Sequence, residues 1–280
     1  MPKLAIILRQ MRVTHWVKNL VVFLPLFFGS LLFDKNAVWH AMLAFLAISF
    51  AASTIYIIND LADLAVDQQH PTKKLRPLAA GEITNSEARL LAMSLTALSL
   101  IVLLIIGNIN VTLIIFCYLV LNITYSNYLK HIAIVEIFVL AGNYLIRLYL
   151  GGLATGIMIS IWIFVTILFG SFILISGKRL AEMKRQSQRK VLKFYTTEFL
   201  NGVVLISLAV SVTAFALYTV ALGFRHLPQL LIFCFILFRY YYLITLNKLT
   251  EQPEKVFLTD KMIMGGTLSF FIATFLILYL

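Results

Sequence analysis

Charge is what this sequence of 280 residues has least of. Only 12% of its residues are Asp, Glu, Lys or Arg, against about a quarter in a typical soluble domain. The bases outnumber the acids by 23 to 12. That scarcity excludes a soluble domain with a charged shell, and a net charge of +11 spread thinly along an apolar chain is not a nucleic-acid-binding surface. Cysteine is nearly absent. Cys117 and Cys234 sit alone inside apolar runs with no His or Cys at ligand spacing, which removes a disulfide framework and a thiolate metal site. His15, His40, His70, His131 and His226 are scattered one to a loop or span end, so no histidine metal site is expected. The sequence also lacks G-x-x-x-x-G-K-[ST], H-E-x-x-H, G-x-S-x-G and a dinucleotide fingerprint, which argues against hydrolase and redox chemistry. No low-complexity stretch, linker or polar domain interrupts the chain, and residues 1–280 read as one domain.

What fills the sequence is apolar: 61% of residues are hydrophobic and the mean hydropathy is +0.94. A helix needs about 17 to 25 residues to cross the hydrocarbon layer. Nine runs meet or approach that length: Trp16–Phe33, Val38–Ile58, Glu87–Ile106, Asn110–Tyr128, Ile132–Leu153, Ser160–Ser176, Leu200–Leu222, Gln229–Ile244 and Met262–Leu280. The expected fold is an all-α, polytopic bundle of nine transmembrane helices. Lys3, Arg9, Arg12 and Lys18 precede or enter the first run, and no small-residue cleavage site follows it, so it is expected to be a retained span. Of the 23 basic residues, 20 fall on the side of the N-terminus, Lys35 and Arg225 fall on the other, and Arg147 lies inside a span. The side rich in Lys and Arg stays in the cytoplasm. The N-terminus and every charged cluster are therefore expected to face it.

The densest chemistry runs from Asn59 to Gly81, N-D-L-A-D-L-A-V-D-Q-Q-H-P-T-K-K-L-R-P-L-A-A-G. Asp60, Asp63 and Asp67 stand three and four residues apart, so they share one face with Asn59 if the preceding helix continues. Carboxylates crowded on one face repel unless a cation sits between them. A hard divalent ion such as Mg2+ takes such oxygens and keeps room for water and substrate phosphates. Asp60, Asp63 and Asp67 are thus the expected metal ligands and catalytic residues. Lys73, Lys74 and Arg76 follow between Pro71 and Pro77, which favour a loop. Acids to hold a metal and then bases to hold phosphate make a diphosphate site. The plain alternative is a solvated interhelical cap of mixed charge.

Other charges are candidates for substrate binding. Between the sixth and seventh runs, G-K-R-L-A-E opens the most basic stretch of the chain. Its later members, from Lys184 onward, fit topology and attraction to anionic headgroups, whereas Lys178, Arg179 and Glu182 follow the membrane exit at once. Arg147 lies in mid-span, where an ionisable residue is a functional candidate by default, and Glu136 lies about three turns earlier on roughly the same face. The alternative for Arg147 is a structural ion pair. Lys18, Tyr128 and Lys130 are polar groups at span ends, Tyr128 serving equally as an interfacial aromatic. Asp260 precedes the last run, where a helix-capping acid is the simple alternative.

These motifs resemble the UbiA-type intramembrane prenyltransferase superfamily, all-helical proteins that bind an isoprenoid within the bundle. L-R-Q-M-R-V-T-H-W-V-K-N at Leu8 to Asn19, the Asn59 to Gly81 stretch, Y-L-I-R at Tyr144 to Arg147, G-K-R-L-A-E at Gly177 to Glu182 and P-E-x-x-x-L-x-D at Pro253 to Asp260 are similar to its decaprenyl-phosphate phosphoribosyltransferase branch. The resemblance implies transfer of 5-phosphoribose from phosphoribosyl diphosphate (PRPP) to a polyprenyl phosphate, with Mg2+, at the cytoplasmic face of a bacterial inner membrane, on the way to arabinose-containing glycans. The implied partners are PRPP, the polyprenyl phosphate lipid and the membrane; self-association into a homo-oligomer stays open. The wider superfamily carries a second D-x-x-x-D motif, of which only Asp260 remains here. Two rival readings stay open: prenyl transfer from a prenyl diphosphate to an aromatic acceptor, and a transporter or lipid-binding protein.

Overall fold

The computed structural model describes residues 2–185, 189–246, 256–257 and 259–280. Every regular element among them is helical. The α-helices are α1 (Lys3–Gln10), α2 (Leu24–Phe28), α3 (Lys35–Ala62), α4 (Leu64–Gln69), α5 (Asn85–Ile106), α6 (Ile109–Asn127), α7 (Val135–Thr155), α8 (Ile161–Lys184), α9 (Thr197–Leu222), α10 (Leu227–Thr245) and α11 (Lys261–Tyr279). Their starts follow local chemistry. Asp34 caps α3 by accepting from the N–H groups of Asn36 and Ala37, and Thr84 with Glu87 forms a capping box on α5, each satisfying donors that a helix N-terminus leaves open. Gly107 ends α5 in the left-handed region, φ 65°, where a side chain would be strained.

Among the described residues, eight helices are long and apolar enough to cross a membrane, against the nine expected. The difference lies in the first run. Val13–Phe28 forms a 3-10 helix over Val13–Phe23 followed by the five-residue α2. A 3-10 helix rises about 2 Å per residue, so this stretch covers more distance per residue than an α-helix would. Such a long 3-10 run is uncommon and is held by specific partners: Trp16 donates to Ser53 Oγ (3.0 Å) and Asn19 to Ser49 Oγ (2.9 Å), both on α3.

The chain divides into two compact units, Met1–Asn127 with Ile146–Ile157, and Tyr128–Leu145 with Met158–Leu280. In the first, α3 packs on α5, α6 and the 3-10 segment. Ala44, Ala47, Ala51 and Ala52 give α3 a small-residue face that lets its neighbours approach closely, and Ile48, Val22, Val111 and Leu150 fill the space between them. In the second unit α8 packs along α9, and α10 against α9 and α11. Phe215 anchors that side, 4.5 Å from Phe233 and 5.7 Å from Phe270 between ring centroids.

Candidate functional site

The carboxylate stretch is built by one helix break and two prolines. α3 ends at Ala62 and α4 resumes at Leu64, with Asp63 between them at φ −93°, ψ 7°. Its N–H still donates to Asn59, and its carbonyl accepts from Val66 and Asp67, so the helical path is nearly kept. Pro71 and Pro77 hold the preceding residues, His70 (ψ 137°) and Arg76 (ψ 142°), in the extended region that a following proline favours. The loop turns back, and the Arg76 guanidinium reaches both Asp60 Oδ1 (3.0 Å) and Asp67 Oδ2. Lys73 Nζ lies 3.5 Å from Asp67 Oδ1. Asp60 and Asp67 are buried, Asn59 and Asp63 half-buried, and Lys74 exposed.

The N-terminal segment contributes what the sequence reading missed. Arg12 pairs with Asp60 and lies over the Tyr56 ring, 4.8 Å from its centroid. Its backbone is left-handed, φ 55°, a conformation that costs a non-glycine residue about 1–3 kcal/mol and persists where the surroundings impose it. Burial pushes its guanidinium below the ordinary arginine range, with Asp60 pulling the other way; the group stays charged. Gln10, fully buried, donates to Asp60 Oδ2 (3.1 Å) and accepts from the Leu78 N–H (3.3 Å). Gln10 and Arg12 both lie in the L-R-Q-M-R-V-T-H-W-V-K-N motif, but nothing in the sequence placed either of them beside Asp60.

Among the described residues no group of three or more His, Cys, Asp or Glu side chains converges as a metal cage. Asp60 and Asp67 are joined through Arg76, and Asp63 stands at the break between them. The donor set still fits a hard divalent ion: it is all oxygen, and the buried Asp67 Oδ1 accepts no hydrogen bond. Three carboxylates, Asp60, Asp63 and Asp67, balance three cations, Arg12, Lys73 and Arg76. A bare divalent ion would add two positive charges without compensation.

Arg147 is buried in the first unit, its Nε donating to Asn19 Oδ1 (2.7 Å) and its Nη2 to the Tyr118 hydroxyl (3.4 Å). Its guanidinium carbon stands 5.2 Å from the Tyr118 ring centroid. Lys18, one residue before Asn19, is half-buried.

The remaining candidates belong to the second unit. Arg179 is fully buried and forks onto Glu136 (Nε to Oε1 2.7 Å, Nη2 to Oε2 2.5 Å), while its Nη1 donates to Glu182 Oε2 (2.6 Å). Lys178 Nζ is 3.8 Å from Glu182 Oε1. Tyr128 is exposed and Lys130 half-buried in a 3-10 turn, Leu129–His131. Asp260 accepts from the N–H groups of Met262 and Ile263 at the start of α11 and pairs with Arg239 Nη2 (2.8 Å), so both of its oxygens are engaged. Residues 253–255 and 258 of the P-E-x-x-x-L-x-D motif lie outside the described residues.

Residues 22–275 match the UbiA prenyltransferase family. Over 221 residues the sequence is 35% identical to the decaprenyl-phosphate phosphoribosyltransferase of Mycobacterium tuberculosis, covering 76% of this chain and 73% of that one. Over 219 residues it is 33% identical to the protein of the same name from Corynebacterium glutamicum, covering 75% and 66%. In fold, a UbiA homologue from Archaeoglobus fulgidus solved with GPP and Mg2+ matches with a TM-score of 0.75 at 20% identity, over 98% of this chain and 100% of that one. The chain belongs to the UbiA prenyltransferase family and is by class a transferase.

Proposed function

We propose that this protein transfers 5-phosphoribose from PRPP to a polyprenyl phosphate, releasing pyrophosphate, with Mg2+, at the cytoplasmic face of a bacterial membrane. The observation that carries this is the 35% identity to a decaprenyl-phosphate phosphoribosyltransferase over three quarters of the chain. The set of buried Asp60 and Asp67 with half-buried Arg12 and Arg76 supports the diphosphate end of the reaction.

An oxygen of the lipid phosphate attacks ribose C1 while the bond from C1 to the diphosphate oxygen breaks, and pyrophosphate leaves with the electron pair. A phosphate monoester has a second pKa of about 6 and is already an anion at neutral pH. No strong general base is needed. Arg12, Lys73, Lys74 and Arg76 neutralise charge on the departing pyrophosphate where it develops. Asp60 and Asp67 hold Arg12, Lys73 and Arg76 in place, Asp60, Asp63 and Asp67 would hold the metal, and Asn59 is assigned to substrate binding. When bound, Mg2+ supplies charge neutralisation at the diphosphate oxygens. Tyr128 and Lys178 are assigned to substrate binding, and Lys18, Lys130 and Arg147 are the candidates for the lipid phosphate; Arg179, Glu182 and Asp260, also expected to bind substrate, have their charged groups engaged within the protein. Positioning supplies most of the acceleration.

Product mass spectrometry on the purified protein tests this directly. PRPP with a polyprenyl phosphate and Mg2+ should give a phosphoribosyl lipid, whereas a prenylated aromatic from prenyl diphosphate and 4-hydroxybenzoate would replace the donor.

A further inference from the structure

Five charges in the second unit form an alternating chain, Lys178, Glu182, Arg179, Glu136, Arg189, each within 3.8 Å of the next. The three inner members are sealed: the side chains of Glu136, Arg179 and Glu182 are 0%, 1% and 8% exposed. The two ends are open, Lys178 at 34% and Arg189 at 29%, and both are cations. Burial of an ion network is poor evidence of net stabilisation, since desolvation offsets the attraction. What the network does supply is register.

Glu136 is the centre of that register. Besides Arg179 it receives Arg189 Nη2 at 3.2 Å, and the Tyr195 hydroxyl lies 3.4 Å from its other oxygen. The same hydroxyl accepts the N–H of Ile134 at 2.7 Å. Ile134 has φ 67°, a left-handed conformation that is an outlier for a β-branched residue. Tyr195 thus holds a strained residue directly before α7, and that strain sets where Glu136, two residues on, delivers its carboxylate. Strain of this kind concentrates where a side chain must be aimed.

We propose that Glu136 is a positioning residue, fixing Arg179 and Arg189 so that Arg189 and Lys178 present a binding face for a phosphate monoester. The identity of the ligand rests on the phosphoribosyl reading, in which both substrates carry such a group: the 5-phosphate of PRPP and the lipid phosphate. A chain of five alternating charges with cations at both ends keeps one net positive charge, and the open ends are where an anion can reach it. Arg189 takes a role here beyond topology and headgroup attraction.

The test uses the full chain in detergent, varying each substrate in turn, with ribose 5-phosphate and farnesyl phosphate as thermal-shift probes. Arg189→Ala should raise KM for one of the two substrates about tenfold, the loss of one charge-assisted contact. kcat and the other KM should change less than about twofold. The matching probe should cease to stabilise the variant, which identifies donor or acceptor as the ligand, and Arg189→Lys should recover most of the effect. Glu136→Gln should show the same KM loss, with little further loss in the double variant. If Glu136→Gln does not fold, Lys178→Ala and Arg189→Ala carry the test from the exposed ends. A folded Arg189→Ala protein with both KM values and both probe shifts unchanged overturns the proposal, as does a wild-type protein that neither probe stabilises. A wild-type protein that makes no phosphoribosyl lipid but shows an Arg189-dependent probe shift keeps the site and rejects the phosphoribosyl reading.

Discussion

The guanidinium of Arg76 closes on Asp60 and Asp67 at once, across the helix break at Asp63. Two buried acids are thereby tied to one loop cation, and the third acid is left half-buried at the break. The two kinds of position respond differently to loss of charge. Asp63→Asn should lower turnover by about a hundredfold or more, the scale for an electrostatic group in the reacting site, while the thermal midpoint stays near wild type. Asp60→Asn should lose both, because Arg12 and Arg76 would share a neutral partner in a buried setting and breaking a buried pair costs about 3–5 kcal/mol. Steady-state rates and thermal unfolding on the same preparations separate the two. Near wild-type turnover in Asp63→Asn removes its metal role.

The balance of Asp60, Asp63 and Asp67 against Arg12, Lys73 and Arg76 leads to an ordering of ligands. Mg2+ alone would add uncompensated positive charge to a half-buried cluster of balanced charge, whereas Mg2+ with pyrophosphate brings its own negative charge. Thermal shift should show little stabilisation by millimolar Mg2+, little by pyrophosphate in EDTA, and a clear upward shift with both, following the linkage of binding to stability. Equal stabilisation by Mg2+ alone would mean that the carboxylates hold metal without the diphosphate. Activity should vanish in EDTA and return with added Mg2+.

Much of this was legible in the sequence because it depended on local spacing. Asp60 and Asp67 lie two helical turns apart, and the prolines after His70 and Arg76 restrict the backbone that returns Arg76 to them. Contacts across long separations were not legible. Arg12 reaches Asp60 over 48 residues and Arg179 reaches Glu136 over 43, and a sequence pattern carries no information about which distant helix supplies a partner. The first apolar run departs from expectation in a different way. Trp16–Phe33 has the composition of a span, but Trp16 and Asn19 find partners on α3 and the backbone tightens to 3-10 pitch, so this run is not among the eight long apolar helices of the described residues.

The close approach of that 3-10 segment to α7 predicts a severe packing mutant. A Cβ added at Gly151 would lie 2.0 Å from the Val22 carbonyl oxygen and 2.9 Å from its carbonyl carbon, both backbone atoms. Neither can rotate away. Gly151→Ala should therefore cost at least the roughly 1–3 kcal/mol typical of overpacking, a large fraction of the stability of a typical fold, and should show as a lowered thermal midpoint or loss of monodispersity in detergent. Gly142 on the same helix has nothing within 4 Å of its added Cβ. Gly142→Ala should be neutral to stabilising, within about 1 kcal/mol. Equal behaviour of the two variants would contradict the packing of Val22 on Gly151.

The last relationship sets a pH window. Asp260 accepts two hydrogen bonds from Arg239, through Nε (3.3 Å) and Nη2 (2.8 Å), besides capping α11. The Arg239 hydrogen bonds hold its carboxyl below the usual aspartate range, with the α11 N–H groups adding to the effect. A folded-state pKa below the unfolded value of about 3.9 means that the pair's contribution is fully present above that value and is lost as pH falls through the folded pKa. Asp260→Asn keeps a side chain that caps helices well, so it removes the charge and spares the cap. The gap in thermal midpoint between wild type and Asp260→Asn should accordingly stay constant from pH 8 to pH 5 and narrow only below about pH 4. A gap that closes between pH 8 and pH 6 would assign the pH response to another group and leave Asp260 as a cap alone.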